Sequence, residues 1–151
     1  MVGYDGSPAA HAAVEHAIDR AGAGGRLVIV HAYSVPVDYA GASYYAELQT
    51  DAAGFAESVM DRLERDCERL ATIEHERDLA PGPAGAAIVR AAEYYDADEI
   101  VVGSRGTGRV RALLGSVAHD VIHRAHVPVT VIPERSVAPQ DGPLVAVPDV
   151  V

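Results

Sequence analysis

A glycine-rich segment in the second half of the chain holds the residue types best suited to binding an anion. The apolar run 100–102 ends at Gly103, Gly106 and Gly108 follow, and Gly115-Ser116 then precede a helical pattern. Glycines let backbone N–H groups approach an anion closely, and a helix start adds unpaired N–H donors and partial positive charge. The segment therefore predicts a phosphate-binding loop.

Three arginines lie in this segment although the chain is acidic. The formal net charge is −10, and all 12 basic residues are arginine. Arg105, Arg109 and Arg111 can clamp phosphates or balance acidic neighbours, and the sequence leaves both roles open. The negative balance opposes nucleic-acid binding, so we expect no nucleic-acid partner. An acidic, lysine-free composition is also typical of salt-adapted proteins.

Size and hydropathy place the chain among single-domain globular proteins. It has 151 residues, and no apolar run approaches the roughly 18–20 residues that span a bilayer. With no recognisable leader, we expect a cytoplasmic protein with no membrane partner. Cys67 is the single cysteine and is interpreted as a core thiol.

The first half of the chain reads as strand, helix, strand and helix. After a short strand 2–4, Ser7 and Pro8 predict a helix start and Gly22 its end. The run 26–33 predicts a strand buried on both faces. Residues 34–49 are expected to form a loop. A helix over 50–73 should bury one stripe of residues, namely Phe55, Val59, Leu63, Cys67 and Leu70.

The second half continues the alternation. We expect a polar edge strand over 74–79, a helix over 84–95, a strand over 99–102 and a helix over 116–125, with Ser116 as a candidate N-cap. Pro128 favours an edge position for the last strand, 127–132. Residues 133–151 read as a proline-containing tail after a domain of residues 1–132.

This order predicts an α/β, doubly wound, five-stranded parallel sheet with helices on both faces. Ligands of such sheets bind where strands end, at the point where the strand order reverses. Asp5, Ala32, Tyr33 and Gly103 follow or end three of the strands and should converge on one crevice. Asp5 alone is ambiguous, because Asp-Gly-Ser-Pro is also a good turn before a helix.

Other polar residues give weaker signals. His119 and His123 are four residues apart on a predicted helix, with His126 nearby, a spacing that can bind a metal. No nearby carboxylate or cysteine completes the set, so we expect no side-chain metal site. Ser104 and Thr107 lack a visible activating base. We therefore expect no catalytic residue.

Several motifs in this order resemble the universal stress protein family. Residues 2–7 (VGYDGS) are similar to its opening, and 28–32 to its second strand. Residues 102–106 followed by Gly115-Ser116-Val117 resemble the glycine signature of its ATP-binding branch, and 128–132 its closing strand. Eight residues separate Gly106 from Gly115, one fewer than in the family pattern.

The resemblance implies an adenine nucleotide alpha hydrolase-like, Rossmann-like fold that binds ATP, with Mg²⁺ or Mn²⁺ carried mainly by the phosphates. It implies that Asp5 binds the ribose and that the backbone of Ala32 and Val102 meets the adenine. It also implies a homodimer joined at the edge formed by the last strand, through Val127, Val129 and Val131. The phosphate-binding residues it implies are Gly103, Gly106, Gly115, Ser116 and Val117, and we add Arg105 and Thr107 as neighbours in the same loop.

Three functions remain open from the sequence. The first is an ATP-binding, nucleotide-responsive homodimer that acts in stress adaptation. The second is a dimeric interaction scaffold of the same family that binds no nucleotide, which the shortened loop would favour. The third is a slow ATPase.

Overall fold

The structure is a computed structural model that describes residues 1–34, 42–106 and 114–134, with the backbone alone described for 42–47. Its strands are β1 (Val2–Gly3), β2 (Arg26–Tyr33), β3 (Glu74–Pro81), β4 (Ile100–Gly103) and β5 (Val129–Ile132). Its α-helices are α1 (Pro8–Ala21), α2 (Ala42–Asp66), α3 (Ala84–Tyr94) and α4 (Ser116–Arg124), and a 3-10 helix spans Glu68–Thr72.

All strand pairs are parallel, in the order β3-β2-β1-β4-β5. This confirms the doubly wound five-stranded sheet and the edge positions of β3 and β5. Connections run outward on one side from β1 through β2 to β3, and on the other from β4 to β5. The strand order therefore reverses between β1 and β4, where such folds open a crevice.

Two apolar clusters cover the two faces of the sheet. Successive β2 side chains alternate between them, since Leu27 and Ile29 join the cluster under α1 and α2 while Val28 and Val30 join the one under α3 and α4. All four are buried. Burial on both faces explains why β2 is a nearly continuous apolar run.

Helix α1 begins and ends where the sequence predicts. Ser7 is its N-cap and accepts a hydrogen bond from the Ala10 N–H at 3.2 Å, and Pro8 occupies the first turn. Gly22 follows the last turn with φ of 61° and donates its N–H to Ile18 O. A left-handed glycine at this position is a common helix stop.

The expectations for α2 were partly wrong. The helix begins at Ala42 rather than near residue 50, so residues 42–49 are not loop, and it ends at Asp66 before the 3-10 helix. Phe55, predicted to be buried, is 68% exposed, whereas Ala56 and Met60 are buried. Leu63 belongs both to the predicted stripe and to the neighbouring stripe that is buried. Helical periodicity alone therefore could not decide which of the two stripes faces the core.

The remaining elements lie close to their predicted bounds. Cys67 is buried, as predicted, and burial raises the pKa of its thiol. No helix among the described residues is long and apolar enough to cross a membrane. The tail beyond residue 134 lies outside the described residues.

Candidate functional site

A cavity of about 530 Å³ opens where β1, β2 and β4 end. Its volume lies within the range of about 300–1,000 Å³ that is usual for small-molecule sites. It lies beside the reversal of strand order between β1 and β4, where doubly wound sheets bind ligands. Nine of the residues singled out in the sequence line it, namely Asp5, Ala32, Val102, Gly103, Arg105, Gly106, Gly115, Ser116 and Val117. Thr107 lies outside the described residues, and Tyr33 is not part of the lining.

The floor of the cavity is apolar. Val30, Ala32 and Val102 come from the sheet, and Ile88 comes from α3. A Cβ atom on Gly3 would lie 2.8 Å from Ile88 Cδ1, so glycine there allows α3 to lie close to the sheet. The sequence did not connect Ile88 with the site. An apolar lining of this kind suits the face of a ring.

Asp5 carries the carboxylate of the site. Its Oδ1 accepts a hydrogen bond from the Ser7 N–H at 3.0 Å, which fixes the side chain at the turn between β1 and α1. Its Oδ2 points at the glycine loop, because a Cβ atom on Gly106 would lie only 2.5 Å from it. Asp5 itself is exposed. The carboxylate is therefore positioned by backbone and still open to a ligand at the cavity rim.

Ser7 joins the turn after β1 to the glycine loop. Its side chain is nearly inaccessible, and its Oγ donates to the Arg105 carbonyl at 3.3 Å while accepting the Ala10 N–H. The sequence predicted the cap but not the contact with the loop, since 98 positions separate the partners. One hydroxyl thus sets the start of α1 and the position of the glycine loop.

Gly103 is required by packing. A Cβ atom on it would lie 2.9 Å from the Ala10 nitrogen and 2.9 Å from the Ala9 carbonyl carbon. No side chain fits at such distances, so the end of β4 approaches α1 only with glycine. Its place in the cavity lining is compatible with a ligand contact as well.

Gly115 also allows a close backbone approach. Its N–H donates to the Ser104 carbonyl at 2.8 Å, and a Cβ atom on it would lie 3.3 Å from Arg105 Cα. The Ser104 N–H in turn donates to Ile132 O at 2.7 Å. The Gly115 N–H is thus already used within the protein, so this residue shapes the loop rather than offering a donor to an anion.

The N-cap of helix α4 is one residue earlier than the sequence indicated. Gly115 is the N-cap, with extended backbone, and its carbonyl accepts the His119 N–H at 3.0 Å. Ser116 is consequently the first helical residue, and its expected role as the N-cap was wrong. The N–H groups of Ser116, Val117 and Ala118 have no acceptor inside the helix. All three residues line the cavity, so the positive end of α4 faces it.

The charged and apolar groups at the rim complete the site. Arg105 lies 3.6 Å from Glu134, nitrogen to oxygen. Leu114 and Val117 are partly exposed at 41% and 38% and offer apolar surface at the mouth. Arg109 and Arg111 lie outside the described residues. Among the residues described, Arg105 is therefore the cation of the cavity.

Tyr4 supports the cavity from the side of α1. Its hydroxyl lies 2.9 Å from His11 Nδ1, and its carbonyl accepts a hydrogen bond from Nδ1 of the buried His31 at 2.8 Å. Burial, with a smaller contribution from the Asp5 charge, raises the pKa of Tyr4 to about 12. The phenol therefore stays neutral at ordinary pH, and the residue before Asp5 is held to β2.

Comparison with known proteins relates the chain to one family. A family model described as the universal stress protein family matches residues 1–133. A relative from Thermus aquaticus, the universal stress protein in the QAH/OAS sulfhydrylase 3′ region, is 36% identical over 141 residues. That match covers 87% of this chain and 96% of the relative.

Solved structures show the same fold. The structure of hypothetical protein MJ0577 superposes with a TM-score of 0.78 at 23% identity, covering 89% of this chain and 96% of that one. A universal stress protein solved in complex with cAMP superposes with a TM-score of 0.63 at 27% identity. That second match covers 87% of this chain and 93% of the neighbour.

Proposed function

We propose that this chain, which belongs to the universal stress protein family, binds ATP in the cavity at the ends of β1, β2 and β4. The observation that carries the proposal is the arrangement of three chemistries around one cavity. An apolar floor, a positioned carboxylate and the start of a helix beside a glycine loop all line it. Those chemistries suit a base, a ribose and phosphates respectively.

The base and the ribose would occupy the part of the cavity nearest the sheet. Adenine would lie on the apolar floor, with its polar edge against the backbone of Ala32 and Val102. Both ribose hydroxyls would donate to Asp5, because a carboxylate accepts several hydrogen bonds. The neighbour solved with cAMP, at 27% identity, supports an adenine nucleotide as the ligand class.

The phosphates would extend toward α4. N–H groups at Gly106, Ser116 and Val117 and the Ser116 hydroxyl would donate to the phosphate oxygens, with Arg105 nearby. Gly103 and Gly115 would keep the loop close enough for this contact. Thr107 remains a proposed neighbour of the phosphates. An anion at a helix start is favoured both by the unpaired N–H groups and by the helix dipole.

Mg²⁺ or Mn²⁺ would accompany the nucleotide. Asp5 is the one carboxylate in the lining of the described cavity, and the ribose would occupy it. This donor set fits a cation held mainly by phosphate oxygens and water, as Mg²⁺ usually is in nucleotide sites.

We also propose that the chain forms a homodimer along β5 and responds to nucleotide in this form. β5 is an edge strand, and Val127, Val129 and Val131 are only partly buried. Ile100 donates its N–H to Pro128 O and Ser104 to Ile132 O. In this parallel register the backbone groups of Val129 and Val131 face away from β4, so a second strand can pair there.

A second candidate function is a dimeric scaffold that binds no nucleotide. Two observations favour it: the loop is one residue shorter than the family pattern, and the Gly115 N–H is used by Ser104. Both reduce the number of donors that could hold the terminal phosphates.

Ligand-dependent unfolding separates these candidates. We expect the midpoint of thermal unfolding to rise with ATP·Mg²⁺, less with AMP and less with GTP, because a ligand stabilises the state that binds it. An unchanged midpoint with all three nucleotides would leave the scaffold. Release of phosphate from ATP above the rate in buffer would instead indicate a slow ATPase.

A further inference from the structure

We propose that His119 and His123 form a binding site for a divalent transition-metal ion on the outer surface of α4. The two residues lie one helical turn apart and are both exposed. Residues at this spacing point in the same direction from a helix. The proposed site lies outside the cavity lining, so the proposal does not depend on nucleotide binding.

The two imidazoles are arranged as a chelating pair. Their Nε2 atoms lie 3.2 Å apart, and their ring centroids are 4.3 Å apart at an interplanar angle of 55°. A metal at about 2.0–2.1 Å from each nitrogen needs a nitrogen-to-nitrogen distance of about 3.3 Å for a tetrahedral angle and about 2.9 Å for a right angle. The observed distance lies between these values, so one metal ion can reach both nitrogens once the rings turn their lone pairs toward it.

When no metal is bound, a hydrogen lies between the two Nε2 atoms. Two neutral Nε2 atoms at this distance share one hydrogen, which one ring donates and the other accepts. For a divalent cation to accept a lone pair from both Nε2 atoms, the donating ring carries its hydrogen on Nδ1 instead, by exchange with solvent, so both imidazoles stay neutral. The two rings are therefore already side by side, and metal binding needs only a rotation of each about its side-chain torsions.

Neighbouring charged residues leave this point open. Asp120, between the two histidines, is turned to the other side, where its Oδ1 accepts from Arg124 Nε at 2.6 Å. Its Oδ2 faces Gly85 on α3, where a Cβ atom would lie 2.4 Å away. His126 lies 3.9 Å from Glu93. The Arg124 charge is balanced by Asp120 and does not oppose a cation at the pair.

The sequence led to the expectation of no side-chain metal site because no third ligand was visible, whereas the site proposed from the ring geometry needs only two protein ligands. No group of three or more histidine, cysteine, aspartate or glutamate side chains suited to a metal occurs among the described residues. Water would fill the remaining positions. Imidazole ligands favour Cu²⁺, Ni²⁺ and Zn²⁺ over Mg²⁺ or Ca²⁺, and Cu²⁺ binds most tightly in that series. The negative net charge of the chain adds a general attraction for cations.

Titration calorimetry of the tag-free full chain with CuSO₄, and separately with ZnCl₂, tests the site. We expect one saturable ion per chain, with Cu²⁺ tighter than Zn²⁺. His119→Asn and His123→Asn should each weaken Cu²⁺ binding about tenfold or more, since even outer-shell changes cost that much at metal sites. His126→Asn, the matched control, should leave the affinity unchanged.

Two further measurements make the outcome decisive. Far-ultraviolet circular dichroism should show that each variant keeps its helices, and the Cu²⁺ electron paramagnetic resonance spectrum should show two imidazole nitrogens. The double variant His119→Asn/His123→Asn should lose saturable Cu²⁺ binding, while Arg124 and its bond to Asp120 stay in place. Absence of saturable binding, or full affinity in His119→Asn or His123→Asn, would overturn the proposal.

Discussion

Asp5 and Gly106 face each other so closely that a Cβ atom on Gly106 would lie 2.5 Å from Asp5 Oδ2. The carboxylate proposed for the ribose and the loop proposed for the phosphates are therefore in direct contact. Only the absence of a side chain at residue 106 leaves Asp5 in its present position. The distance links two motifs about 100 residues apart, and it makes the size of residue 106 a test of the site.

Gly106→Ala should weaken ATP binding with little effect on folding. The added methyl displaces the end of a flexible side chain rather than backbone, so the fold can absorb it. Loss of a hydrogen bond to a charged group costs roughly 1.5–3 kcal/mol, which is roughly a 10–150-fold loss of affinity. Calorimetry and urea unfolding measure the two effects.

Gly54→Ala is the control for this substitution. A Cβ atom on Gly54 meets nothing within 4 Å, and the residue lies within α2, so alanine should raise helix stability by up to about 1 kcal/mol and leave ATP affinity unchanged. Equal affinity in Gly106→Ala and the native chain would remove the proposed role of the Asp5 and Gly106 pair.

Asp5→Ala should remove the preference for ribose over deoxyribose. If Asp5 accepts from the ribose hydroxyls, the native chain binds ATP more tightly than 2′-deoxy-ATP, and the ratio of the two dissociation constants should approach one in the variant. Competition binding with both nucleotides measures this ratio. Asp51→Ala, at an exposed position of α2 outside the cavity lining, should keep the native ratio. A ratio preserved in Asp5→Ala would place the ribose elsewhere.

Val131→Pro should prevent dimerisation through β5. Proline removes an outward N–H and obstructs the pairing edge, while the pairing of β5 with β4 uses the groups of the neighbouring residues. Val131→Ala shortens the same side chain but keeps its N–H, so it separates edge pairing from packing. Sedimentation velocity should show a monomer for Val131→Pro and a dimer for Val131→Ala. A dimer in both would exclude pairing at this edge.

Met60→Ala should destabilise the protein, and Phe55→Ala should not. Met60 is 1% exposed on the buried face of α2, whereas Phe55 on the same helix is 68% exposed. Truncation of a buried methionine costs about 2–5 kcal/mol, and an exposed substitution stays within about 0.5 kcal/mol. Chemical unfolding of the two variants compares them directly. A larger loss in Phe55→Ala would mean that the buried face of α2 is the one the sequence indicated.

The sequence was sufficient for the elements whose signals are local. Ser7, Pro8 and Gly22 fix both ends of α1, and the apolar run of β2 marks a strand covered on both faces. Alternation of strands and helices then leaves few topologies for a parallel sheet, because the crossovers are right-handed. For this reason the convergence of Asp5, Ala32 and Gly103 on one cavity could be predicted from the sequence.

What the sequence missed depends on contacts between distant residues. The bond from Ser7 Oγ to the Arg105 carbonyl and the use of the Gly115 N–H by Ser104 follow from how two loops meet, which no local pattern encodes. Phe55 was misplaced because adjacent stripes of one helix are both apolar enough to be buried. The packing of α2 on the sheet chooses between them, and it buries Met60.

The central claim is that the glycine loop and α4 hold the phosphates of ATP. Calorimetric titration of the chain with ATP and Mg²⁺ in high potassium chloride, after removal of any co-purified nucleotide, tests it most directly. We expect saturable binding, with AMP and GTP weaker than ATP. No heat of binding, together with no nucleotide released from the denatured protein, would contradict the claim and leave the dimeric scaffold as the function.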